Sequence, residues 1–91
     1  MAEAEYQLAT FYFEDEKEQN KRAYAMNLLR HSAEQNHIPA MLLLADMYLS
    51  GEGITKNPIQ AERILTSAAE RGDATAQRKL GLLYLYGDGT R

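Results

Sequence analysis

Moved along itself by 36 positions, the sequence matches without a gap. Ala4, Ala40 and Ala76 coincide, as do Leu8, Leu44 and Leu80; Ala9, Ala45 and Gly81; and Tyr12, Tyr48 and Tyr84. The second half of the unit agrees too: Ala25 with Ala61, Leu28 with Ile64, Leu29 with Leu65, Ser32 with Ala68, Ala33 with Ala69, Glu34 with Glu70, and Asn36 with Gly72. A period of this size means that each unit is one supersecondary element, which buries its apolar face only by stacking on its neighbours. The chain divides into a divergent first unit, 1–36, a second unit, 37–72, and the first half of a third, 73–91.

Each unit reads as a helical hairpin. Ala40, Leu44, Met47 and Tyr48 recur at three- and four-residue spacing, which predicts an amphipathic helix from about Pro39 to Ser50. Gly51 stops it, because a residue without a β-carbon enters the left-handed region without strain. Asn57 is placed to cap the next helix and Pro58 to open it, since the first helical position has no use for an amide proton. Ala61, Ile64, Leu65, Ala68 and Ala69 share one face of that helix, and Gly72 ends it. Asp73 then caps a helix over 74–86, stopped by Gly87. Unit one carries Asp15-Glu16-Lys17-Glu18-Gln19-Asn20 in place of the glycine turn, so its first helix is expected to run on or to fray into a charged loop.

Composition supports the all-helical reading. The chain has 13 Ala, 12 Leu and no Val, and Val is the residue a pleated sheet uses most and a helix least. Small residues at Ala9, Ala45 and Gly81 are expected where the two helices of a hairpin cross closely. Tyr12, Tyr48 and Tyr84 are expected to fill the space beside them, each hydroxyl finding a partner. With no Cys there is neither a disulfide framework nor a thiolate metal site, and the net charge of -3 gives no basic excess for nucleic acid. No apolar run is long enough to span a membrane, and Met1-Ala2-Glu3-Ala4-Glu5 lacks the basic and apolar regions of a signal peptide. The compartment stays open on these grounds, with the cytoplasm slightly favoured over the periplasm or secretion.

The pattern Ala-x-x-x-Leu-Ala-x-x-Tyr-x-x-Gly-x-Gly from Ala40 to Gly53, followed by Ala61 and Ala68-Ala69-Glu70-x-Gly72, resembles the Sel-one-like repeat (SLR), a branch of the tetratricopeptide (TPR) superfamily. Ala76, Leu80, Gly81, Tyr84, Gly87 and Gly89 repeat its first half, while unit one lacks the paired glycines. The resemblance implies a right-handed α-solenoid acting as a protein- or peptide-binding adaptor or scaffold, often in bacterial proteins, with no reaction and no cofactor. In such arrays the first helices line the concave face, and ligand contacts come from positions outside the packing code. Those positions form three rows: Tyr6, Leu42 and Arg78; Thr10, Asp46 and Leu82; Phe13, Leu49 and Leu85. Tyr6, Thr10, Phe13, Leu42, Asp46, Leu49, Arg78 and Leu82 are the candidate partner-binding residues. The plainer alternative is that the leucines among them extend the core.

Other chemistry finds little support in the residues. His31 and His37 with Glu34 between them can be drawn as a weak metal site, but exposed histidines at a helix end are the ordinary reading, and His31 near a carboxyl terminus suits the helix dipole. The run Glu14-Asp15-Glu16-Lys17-Glu18 lacks the glycine and alternating oxygens of a calcium loop and reads as solvated. Gly51-Glu52-Gly53 and Gly87-Asp88-Gly89 place an acid where a phosphate would sit, with no Lys-Ser/Thr following, so both serve as turns. No nucleophile and base fall at a useful spacing, and the carboxylates are expected on solvent faces, so catalysis is not expected. Two functions remain. One is a groove that holds a peptide or a partner's helix. The other is a structural spacer or assembly element that self-associates or exchanges helices through the leucine-rich last helix, with Leu80, Leu82, Leu83 and Leu85.

Overall fold

The computed structural model describes residues 1–14 and 21–86. Among them are five helices and no strand: α1 (Ala2–Glu14), α2 (Arg22–Glu34), α3 (Ile38–Ser50), α4 (Pro58–Glu70) and α5 (Ala74–Tyr86). The closely packed pairs are consecutive in sequence, α1 on α2, α2 on α3, α3 on α4 and α4 on α5. The result is an elongated helical repeat array of 38 × 25 × 15 Å. The charged run after Glu14 and the glycine turn at Gly87 lie outside the described residues.

Helix ends follow the chemistry at each boundary. Asn57 caps α4, its Oδ1 accepting from the Gln60 amide at 3.1 Å, with Pro58 directly after it. Asp73 does the same for α5, its Oδ2 accepting from the Ala76 amide at 2.8 Å. The carboxyl ends of α2 and α4 are closed by one motif in the same register. The Asn36 and Gly72 amides donate to Ala33 and Ala69, and the His37 and Asp73 amides reach back to Ser32 and Ala68. That closure requires positive φ at the first donor of each pair, 64° at Asn36 and 92° at Gly72, and Asn is the non-glycine residue that best tolerates it. The 36-residue period is thus kept in backbone conformation even where the residue type changes.

The core forms two successive clusters. Ala9, Ala25, Met26, Leu29, Ala40, Leu44 and Met47 bury together where α1, α2 and α3 meet. Met41, Ala45, Ala61, Leu65, Ala68, Ala76 and Leu83 do so one repeat later, between α3, α4 and α5. α3 serves both, with Leu44 on one side and Ala45 on the other. Ala9 and Ala45 are fully buried, as small residues at a close crossing must be. Gly81 departs from that expectation: it is exposed, and a β-carbon built on it meets nothing within 4 Å. No described helix follows α5, and no described residue presses on this position.

The tyrosines separate in the same way. Tyr12 and Tyr48 are half-buried against the core, whereas Tyr84 is 52% exposed. Its hydroxyl nevertheless donates to Glu62 Oε2 at 2.6 Å, which holds the phenol above its usual pKa because the hydrogen bond needs the protonated form.

Candidate functional site

α1 and α3 both lie on α2 without packing closely on each other, and a groove of about 610 Å³ opens between them. α1 contributes Tyr6, Thr10, Phe13 and Glu14; α3 contributes Leu43, Asp46, Met47 and Ser50; Arg22 and Glu52 stand at one end. The helical period puts Tyr6, Thr10 and Phe13 on one stripe of α1, and Leu43, Met47 and Ser50 on the facing stripe of α3. Tyr6, Phe13 and Leu43 are half-buried against the first core cluster, so the floor is apolar and held in place from beneath.

Of the eight candidate residues, the structure brings Tyr6, Thr10, Phe13 and Asp46 into this groove. Leu42 and Leu49 are half-buried against the second core cluster and do not line it. Arg78 and Leu82 are exposed on α5, with Leu82 47% accessible and Leu85 68%. Positions 42 and 49 lie on the side of α3 that meets the next repeat, and positions 78 and 85 lie in the same register on α5, where no described helix follows; Leu82 is in the register of Asp46. The groove uses Leu43 where the sequence rows place Leu42.

Charge around the groove is shared between Asp46 and side chains that lie outside those rows. Lys79, and not Arg78, reaches across from α5, its Nζ 3.1 Å from Asp46 Oδ1 and 3.3 Å from Oδ2. At the other end, the Arg22 guanidinium stands 5.6 Å over the Phe13 ring. Gly53 closes the turn beside it, with φ of 75°, and a β-carbon there would fall 2.9 Å from Arg22 Nη2 and 3.3 Å from Met47 Cε. This glycine therefore serves both the backbone turn and the close approach of the groove's end wall.

The first turn of α1 is anchored by groups expected on solvent faces. Glu5 Oε2 lies 2.6 Å from His31 Nδ1, and Glu5 Oε1 accepts from Gln35 Nε2 at 2.7 Å. Glu3 Oε1 lies 2.9 Å from His37 Nε2 without hydrogen-bond alignment, and the His37 ring packs against Tyr6 with centroids 5.2 Å apart. Ser32, fully buried, donates to the Ala2 carbonyl at 2.7 Å. The histidines thus find Glu5 and Glu3, where the sequence offered Glu34. No group of three or more metal-ligating side chains is assembled among the described residues.

The hydrogen bond with His31 holds the Glu5 carboxyl below its usual pKa; withdrawal from water acts the other way, and the Gln35 hydrogen bond adds to the lowering. A depressed carboxyl pKa gives stability that is fully present above the unfolded value, about 4.3, and is lost as pH falls through the folded value. The stability difference between the wild type and Glu5→Gln should accordingly shrink as pH drops from about 6 to about 3. Thermal melts across that range check this, and a difference that stays constant with pH refutes it.

The Sel1 repeat model matches residues 2–37, 38–73 and 74–91, in phase with the helices above. The chain belongs to the Sel1 repeat family. Sel1 repeats are generally protein–protein interaction modules, and the family is typically non-catalytic. The all-α solenoid agrees with a solved Sel1-like neighbour, c5321, a protective antigen present in uropathogenic Escherichia coli strains displaying an SLR fold. The two share 33% identity with a TM-score of 0.85 over 98% of this chain, which spans 19% of that protein's length. No curated protein matches the chain. None of the helices among the described residues is long and apolar enough to cross a membrane.

Proposed function

We propose that this Sel1 repeat array is a non-catalytic module that holds an extended peptide or a partner's helix in the groove between α1 and α3. The observation that carries the reading is the groove itself. It is roomy, its floor of Tyr6, Phe13 and Leu43 is already ordered by the core, and its rim offers polar groups to fix a guest's register. Pre-organised apolar anchors cost little ordering entropy on binding, which is how a short segment gains useful affinity. Thr10 sits between Tyr6 and Phe13 on α1, and its hydroxyl donates to the Gln7 carbonyl of its own helix at 2.8 Å. Thr10→Arg should therefore block the groove without removing core contacts. Peptide binding lost in this variant, with circular dichroism unchanged, supports the reading; binding that survives it moves the site elsewhere.

A second reading, assembly with another copy, rests on the exposed Leu82 and Leu85 of α5. Sedimentation at rising concentration separates the two: a monomer throughout leaves only the groove, and a dimer broken by Leu85→Glu favours assembly.

A further inference from the structure

We propose that the groove between α1 and α3 selects a partner segment in which an apolar side chain stands beside a lysine or arginine. This rests on the groove being the binding site. Its apolar part lies in the middle, and its charge is concentrated at one end. There the described part of α1 reaches Glu14 and α3 ends at Ser50, with the negative end of the α3 dipole on the side of the groove that Glu14 and Glu52 line. Neither helix carries a basic residue in its last turn to offset this.

Glu14 and Glu52 add two carboxylates at that end, and neither has an ion-pair partner among the described residues. Among the described residues Arg22 is the single cation lining the groove, and it offsets one of them. Asp46 is engaged by Lys79 and leaves the middle close to neutral. What remains among the described lining residues is one carboxylate in excess, beside a floor shaped for an apolar side chain. A guest cation placed there completes the charge balance of the lining, while a guest carboxylate would add to the excess of Glu14 and Glu52 over Arg22. An apolar anchor alone would fill the floor and leave the end wall solvated. The complementary guest therefore carries both features side by side.

A random peptide repertoire displayed on phage, panned on the full chain, supplies the probe, and selected sequences are measured as labelled synthetic peptides by fluorescence anisotropy. Selected peptides should pair an apolar residue with Lys or Arg. Their affinity should fall roughly three- to tenfold in the double variant Glu14→Gln, Glu52→Gln, and Thr10→Arg should abolish it. A version of the peptide with its Lys or Arg replaced by Gln should bind more weakly than its parent and respond little to the double variant. Selection of acidic or uncharged peptides, blocked by Thr10→Arg but indifferent to the double variant, overturns the partner class and leaves the groove standing. Failure to select any peptide, binding that ignores Thr10→Arg, or a chain found occupied by its own second copy overturns the groove and this inference with it.

Discussion

Truncation of Leu65 to alanine is expected to remove roughly 2–5 kcal/mol of folding stability. The side chain is fully buried, and four of its cluster neighbours are Ala45, Ala61, Ala68 and Ala76. Alanines have no rotamers with which to close a hole, so the cavity stays open and the loss belongs toward the upper part of that range. A chain of this size has a total of about 5–14 kcal/mol to lose, and each kcal/mol shifts the melting temperature by about 4–8 °C. The variant should melt roughly 10–30 °C below the wild type by circular dichroism. The damage should also be local at first. Leu65 binds α4 to α3 and α5, while Leu29 occupies the same register in the separate cluster formed by α1, α2 and α3. In a repeat array each unit leans only on its neighbours, so amide exchange in α4 and α5 should quicken before exchange in α2 does. A melting shift under about 5 °C, or uniform exchange along the chain, would contradict this division of the core.

Leu29 and Leu65 also show what the sequence makes legible. Burial on the helix-packing faces repeats at a period of 36, so the sequence alone assigns a residue and its counterpart the same role. The same holds for the caps, because Asn57, Pro58 and Asp73 act through backbone groups only a few residues away. The groove was legible in part. Sequence rows identify which stripe of α1 is free, and hence Tyr6, Thr10 and Phe13. They do not say how far each helix turns toward its neighbour, and residues adjacent in sequence point about 100° apart. That rotation puts Leu43 in the groove in place of Leu42, and makes Lys79, the neighbour of the candidate Arg78, the α5 cation that reaches Asp46. The contacts of Glu3 and Glu5 with His37 and His31 were not legible at all. They depend on where the start of α1 comes to rest against the end of α2, a tertiary fact with no local signature.

Ala45 and Gly81 occupy the same repeat position, and enlarging each should have opposite effects. Ala45 is fully buried in the second cluster, where α3 meets α4. Leucine there adds volume to a close crossing, which forces strained rotamers or parts the helices, at an expected loss of about 1–3 kcal/mol. Gly81 lies in the interior of α5, has no positive φ, and presents an open direction to any added β-carbon. Alanine there restricts the unfolded chain and improves helix propensity without meeting a neighbour, for an expected gain of about 0.5–1 kcal/mol. Thermal melts of Ala45→Leu and Gly81→Ala, measured beside the wild type, should therefore bracket it. The contrast isolates the cause of the small-residue rule. If helix crossing imposes it, the requirement holds at Ala45, where a second helix packs, and lapses at Gly81. If both substitutions destabilise, material packs against α5 at Gly81 and the open position described above is wrong; if neither does, the crossing at Ala45 is looser than its burial implies.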